Sequence, residues 1–192
     1  MNKKFYIADW HYDHANCIFF DNRPFKDVEE INNELVSRWN SVVDNGDDVY
    51  ILGDMFWCNM TPAIEVLQKL NGKKHLIKGN HDRCHDARFT KCFVSVKDYD
   101  EIKDGGRDVV LSHYPINCFK NHFYGWYHLY GHVHTSFEYN ITEHNKYLME
   151  ELYTKPCKMY NVGAMIPYMD YTPRTLDEIV EGYQKGKNNE QE

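Results

Sequence analysis

Five short polar clusters follow apolar runs in this chain: Asp9-x-His11, Gly53-Asp54, Gly79-Asn80-His81-Asp82, Ser112-His113 and Gly131-His132-x-His134. Their carboxylates, imidazoles and amide are donor types that hold divalent cations. Two such cations about 3.5–4 Å apart can clamp a phosphoryl group and generate hydroxide at neutral pH. A pair of that kind needs one bridging carboxylate and a mixture of imidazole nitrogens and oxygens, which suits Mn, Fe, Ni, Zn or Co better than Ca. Two-residue spacing in extended chain puts both side chains on one side, so Asp9 with His11, and His132 with His134, can each aim at one point. Each fragment alone also has a plainer reading as turn chemistry or an Asx motif. Five together, in order, favour the metal.

The elements that must position these clusters are legible from periodicity. Short apolar runs at 4–8 and 47–54 read as strands, followed by further strands at 73–80 and 93–97. A hairpin turns at Gly105-Gly106, and later strands are expected at 126–132 and 158–164. Asp27 with Glu30 forms a capping box ahead of Ile31, Leu35, Val36, Trp39, Val42 and Val43, which predicts a helix closed by Asn45-Gly46. Thr61-Pro62 predicts a second helix with Thr61 as cap and Pro62 at its first position. Thr175 with Glu178 predicts a last one through Ile179 and Tyr183. Strands interleaved with helices, plus one antiparallel hairpin, imply an α/β sandwich around mixed sheets.

The 192 residues suffice for one compact domain, expected over 1–186, with 187–192 as a frayed polar tail. With 42% hydrophobic and 27% charged residues, the composition is that of an ordinary globular chain. No apolar run reaches the ~18 residues of a membrane span, and the N-terminal stretch is too short for a signal segment, so a cytoplasmic location is expected. Six scattered cysteines without a C-x-x-C pair read as reduced thiols. A formal net charge of −7 argues against long duplex nucleic acid as a partner, while small phosphate esters and nucleotides remain open.

The sequence D-x-H, G-D, G-N-H-D, H, G-H-x-H resembles the signature of the calcineurin-like metallophosphoesterases. Residues 22–25, NRPF, and NVG followed by YTPRTLDEI are similar to the compact bacterial and phage-type branch. The resemblance runs from Asp9 to about Ile179. It implies a four-layer αββα sandwich with two mixed sheets and a dinuclear centre of divalent transition metals, manganese foremost, with Fe, Zn, Ni or Co as alternatives. Carried over residue by residue, Asp9, His11 and His134 resemble ligands of the first metal, Asp54 the bridge, and Asn80, His113 and His132 ligands of the second. His81 resembles the histidine that protonates the leaving oxygen or stabilises the transferring phosphoryl group, with Asp82 either orienting its ring or holding the strand end.

The implied activity is hydrolysis of a phosphodiester, with a monoester second, by metal-bound hydroxide. A nucleotide pyrophosphatase, a short single-strand nuclease and a non-catalytic scaffold of the same fold are the alternatives. Asp54 is followed by Met55, Phe56 and Trp57, without the arginine of the protein phosphatase branch, so phosphoprotein substrates are not expected. His14, Asn16 and Arg23 lie in the loop after the first strand as candidate substrate contacts. Arg83 and Arg107 are candidate anion contacts. Trp10, Tyr12, Trp57, Tyr114, Tyr124 and Trp126 flank the motifs and could stack on a base.

Overall fold

Residues 2–189 are described by a computed structural model, and they form two four-stranded sheets flanked by helices. The first sheet takes β1 (Lys4–Ile7), β2 (Asp48–Ile51), β3 (Lys73–Ile77) and β4 (Ser95–Lys97) in sequence order, every pair parallel. Parallel neighbours need crossovers, supplied by α1 (Cys17–Phe20) with α2 (Val28–Val42), by α3 (Met60–Lys69), and by α4 (Ala87–Thr90). Because the order never reverses, right-handed crossovers put all of these helices on one face and leave the other free for a second layer. Its four strands pair in parallel, and an antiparallel bridge from Tyr6 of β1 to Arg174 lies at its edge.

The second sheet is mixed. Its strands β5 (Tyr99–Asp104) and β6 (Arg107–Ser112) make the expected antiparallel hairpin. Then β6, β7 (Tyr127–Tyr130) and β8 (Met159–Asn161) pair in parallel. Strand alternation divides its side chains between two cores. Val109, Leu111, Leu129 and Tyr160 join the main core with β1–β3 and α2, whereas Val110, Tyr130 and Met159 face outward to a smaller core with Met149. That outer layer is α5 (Phe137–Tyr153), a helix of 17 residues that the sequence pattern does not announce. The last helix, α6 (Leu176–Asn189), carries the Thr175–Glu178 capping box. It continues through 187–189, where a frayed tail was expected, and 190–192 lie outside the described residues.

Local signals mostly hold. Asp27 caps α2 by accepting from the Glu30 amide at 2.8 Å, and Ile31, Leu35 and Trp39 bury one stripe of it. For α3 the N-cap is Asn59 rather than Thr61. Pro62 still falls in the first turn, where no intrahelical amide is needed. Among the described residues no helix is long and apolar enough to cross a membrane. All six cysteines are free thiols.

Candidate metal centre

The chain leaves β1, β2 and β7 in a backbone conformation the sequence did not foretell. Asp9, His11, Asp54, His132 and His134 all have positive φ, from 46 to 72°. The extended spacing expected to aim these side chains is therefore corrected: β1 has ended at Ile7, and left-handed turns do the aiming. Such residues cost about 1 kcal/mol or more apiece, so surrounding bonds must hold them. Here the loop after β1 is zipped to the loop after β2, with Asp9 N donating to Gly53 O at 3.0 Å, His11 N to Asp54 O at 3.1 Å and Tyr12 N to Met55 O at 3.0 Å. Gly53, at φ 88°, is obligatory, since a Cβ there would collide with His113 Nδ1 and lie 2.7 Å from Gly79 Cα.

Asp9, His11 and His134 form one donor group, with ligand atoms within 4.8 Å of one another. Asp9 is fully buried; its Oδ2 accepts from His132 N at 2.9 Å, while Oδ1 has no partner. Burial lifts its carboxyl to about 6, against the pull of His134 and His113. The His11 and His134 Nε2 atoms face each other at 3.2 Å. Burial, helped by the charges of His134 and Arg23, holds His11 neutral by lowering it to about 2, which leaves a lone pair for a ligand. His134 is oriented from behind by Asp21, whose Oδ1 lies 2.8 Å from Nδ1.

Asp54, His113 and His132 form the second group. His113 Nδ1 donates to the Leu52 carbonyl at 2.7 Å, which turns Nε2 inward, 3.5 Å from Asp54 Oδ2 and 3.0 Å from Asn80 Oδ1. Burial disfavours its charged form, yet bonding to Asp54 and the charges of Asp9 and Asp54 raise it to about 9. Such a stack of carboxylates and imidazoles is the setting in which a dication would replace the shared protons. Asp54 Oδ1 accepts from His81 N at 2.8 Å, and His81 Nε2 stands 3.9 Å from Asp54 Oδ2 with its ring half-exposed. A cavity of about 500 Å³ joins both groups, and His81, Asn80, His14, Trp57 and Phe20 line it.

The remaining candidates divide. His14 stacks face to face on Trp57, ring centres 4.0 Å apart, forming one wall. Arg83 is exposed and belongs to an adjoining recess behind Trp57 and His81. Arg23 is corrected from a substrate contact to a buried brace. Its guanidinium donates to the Asp9 and Trp10 carbonyls and to Asp21, and the side chain is buried outside the cavity lining. Asp82 likewise does not orient the His81 ring. Its carboxylate accepts from the amides of Gly79, Asp54 and Met55, fastening two ligand-bearing loops together. Arg107 pairs with Asp177 far from the cavity, Trp10 is buried, and Tyr124 and Trp126 lie outside the cavity lining.

Two residues escaped the sequence reading. Asp21 sits among loop residues with no motif spacing to mark it. Asn161, within the NVG stretch, donates from Nδ2 to the His134 carbonyl at 3.1 Å and accepts from Gly163 N at 2.9 Å, tying β8 to the ligand loop.

The donor chemistry fits a pair of divalent cations. A buried carboxylate oxygen lacks a partner, imidazole nitrogens converge with their far sides pinned, and both groups share one cavity. The family model for calcineurin-like phosphoesterases matches residues 5–160, and the chain belongs to that family. It is 33% identical over 189 residues to an uncharacterized protein of Methanocaldococcus jannaschii, covering 97% of this chain and 94% of that one. Identity to the gene 66 protein of Mycobacterium phage L5 is 32% over 134 residues, 60% of this chain and 64% of the other. A protein of unknown function from Aquifex aeolicus has a similar fold, with a TM-score of 0.68, 24% identity, and coverage of 94% and 99%.

Proposed function

We propose that the chain is a two-metal phosphodiesterase acting on a small phosphate ester. In this reading Asp9, His11 and His134 would hold one cation, Asn80, His113 and His132 the other, and Asp54 would be shared between them. Manganese is the first choice, with Fe, Zn, Ni or Co compatible with the mixed donors. When bound, the pair supplies Lewis acidity toward the phosphoryl oxygens and toward a water. The observation that carries the reading is the convergence of two donor groups on one cavity beside a half-exposed histidine.

The chain's own residues do the rest. His113 and His134 are held in the ligating tautomer by Leu52 O and Asp21. His81, fixed at its backbone by Asp54 but free at its ring, delivers a proton to the leaving oxygen. Among the described residues no lysine or arginine lines the cavity, so beyond the metals and a protonated His81 no fixed cation offsets a second phosphate charge, which favours a singly charged diester over a monoester dianion. The exposed rings of Trp57 and Phe20 support a second reading, a nucleotide pyrophosphatase or short single-strand nuclease in which a base lies on them.

The test is metal analysis after reconstitution with manganese, followed by turnover of bis-p-nitrophenyl phosphate, p-nitrophenyl phosphate, cyclic nucleotides and dinucleotides. Two metals per chain and diester turnover are expected. Monoester-only activity would overturn the diester assignment. Fewer than two metals with no turnover would leave a scaffold of this fold. A dinucleotide or pyrophosphate substrate preferred over the others would select the second reading.

A further inference from the structure

The helix α5 is turned inside out. Its buried stripe is Thr142, Lys146 and Met149, while Phe137, Ile141, Leu148 and Leu152 point to solvent with 77, 45, 47 and 76% of their surface exposed. At 100° per residue these four fall within an arc of about 60°, an apolar line about 22 Å long that is interrupted at its centre by His144 and Asn145. A solvated helix face is normally kept apart by lysine or arginine. Between 137 and 152 the only such residue is Lys146, and it faces inward.

We infer that this face is a two-fold interface in which α5 packs antiparallel on α5 of a second copy. The apolar residues are placed symmetrically about the junction of His144 and Asn145. Ile141 and Leu148 are equidistant from it, and Phe137 and Leu152 are equidistant at the next step out. Antiparallel pairing therefore sets Ile141 against Leu148 of the second copy and Phe137 against its Leu152. A self-complementary patch of this kind is what an isologous contact requires. The surrounding charge selects this occupant over a membrane surface. The residues of α5 beside the line include Glu138 and Glu151, and the chain carries a net −7, whereas interfacial helices flank their apolar face with cations. The arrangement also bears on the cavity. Ser136 and Glu138, at the start of α5, line it, so the far end of the second copy's α5 comes to rest beside its mouth.

The mass in solution decides this, measured by analytical ultracentrifugation on the full chain over a range reaching about 50 µM, because dimer population follows concentration. A dimer is expected, and Ile141→Glu or Leu148→Glu should each halve the mass while leaving the circular dichroism melt and metal content of the parent. Geometry is read separately in a Cys118→Ser background, since Cys118 is an exposed thiol. Asn145→Cys, next to the axis, should oxidise to a disulfide-linked dimer. Phe137→Cys and Leu152→Cys should do so only when the two variants are mixed. A monomer throughout, a dimer that survives both glutamates, or cross-links from Phe137→Cys alone would overturn the inference. So would co-sedimentation of the chain with phosphatidylserine vesicles that Leu148→Glu abolishes, which would assign the line to a membrane.

Discussion

At the rim where β1, β2, β3, β6 and β7 end, buried polar groups are gathered and aimed at one place. Asp9, Asp54 and His113 are all but inaccessible, yet each gives a donor atom to one of two groups whose other members line the same cavity, and one oxygen is left without a partner. Beneath α5 a buried charge is handled differently, although Tyr130 Oη and Glu143 Oε1 in that region also lack a partner. Lys146 is equally buried, but its ammonium donates to the Met159 carbonyl at 2.6 Å and sits 3.7 Å from the centre of the Tyr183 ring and 4.8 Å from that of Tyr160. Its polarity is absorbed on the spot. Unsatisfied convergence marks a place prepared for a ligand, and local satisfaction marks packing.

If the rim is a ligand site, removing its central carboxylate should have the largest consequence of any single change. Asp54→Asn should lower metal content at both positions and abolish turnover, read by elemental analysis alongside an activity assay. Retention of two metals would show that Asp54 is not shared. His81→Ala sharpens the same contrast from the other side. Metal content should stay near that of the parent while turnover drops roughly 10²–10⁴-fold, the usual worth of a general acid. Equal loss of metal in that variant would make His81 a ligand.

A smaller effect is expected one layer back. Asp21 touches His134 and Arg23 but lies outside the donor groups. Asp21→Ala should weaken metal binding about 10–100-fold, with Asp21→Asn intermediate because it still offers an oxygen to Nδ1. Titration with manganese followed by calorimetry reads this directly. An unchanged affinity would make Asp21 only the anchor of Arg23.

The two regions also differ in how far they could be read from the amino acids. The rim was legible because its donor types are rare, ordered and tied to apolar runs, which singles out Asp9, His11, Asp54, His113, His132 and His134 as candidates. What sequence could not supply were contacts made across the fold. The role of Asp82 depends on three amides, two of them in a distant loop, and that of Arg23 on the backbone of Asp9 and Trp10. Left-handed turns at five of the candidate donors have no propensity signature in Asp or His strong enough to foretell them. The helix α5 was invisible for a plainer reason. Its buried stripe carries a threonine and a lysine while its leucines face outward, so an apolar-face search finds nothing facing the sheet.

Lys146 offers the finest test of the contrast, because a locally absorbed charge should be replaceable where a ligand is not. Lys146→Met keeps the length of the stem and removes the ammonium, and its stability in urea should be within about 1.5 kcal/mol of the parent at neutral pH, or above it. The pH dependence separates packing from charge. Burial lowers Lys146 from 10.5 to about 8, opposed by Glu143 and Glu150 and assisted by Lys187, with Cys157 and Tyr183 also facing it. Below about 8 both states are protonated and the burial cost is present in full. Between about 8 and 10.5 the unfolded chain holds a proton that the folded chain has released, so stability gains with rising pH. Cysteines and tyrosines raised by burial change stability in the opposite sense over this range, but they are common to both proteins. The parent should therefore gain on Lys146→Met by up to roughly 3 kcal/mol between neutral pH and pH 10.5. A difference that stays constant across that range would mean that the ammonium remains charged beneath α5, held by the rings and the Met159 carbonyl.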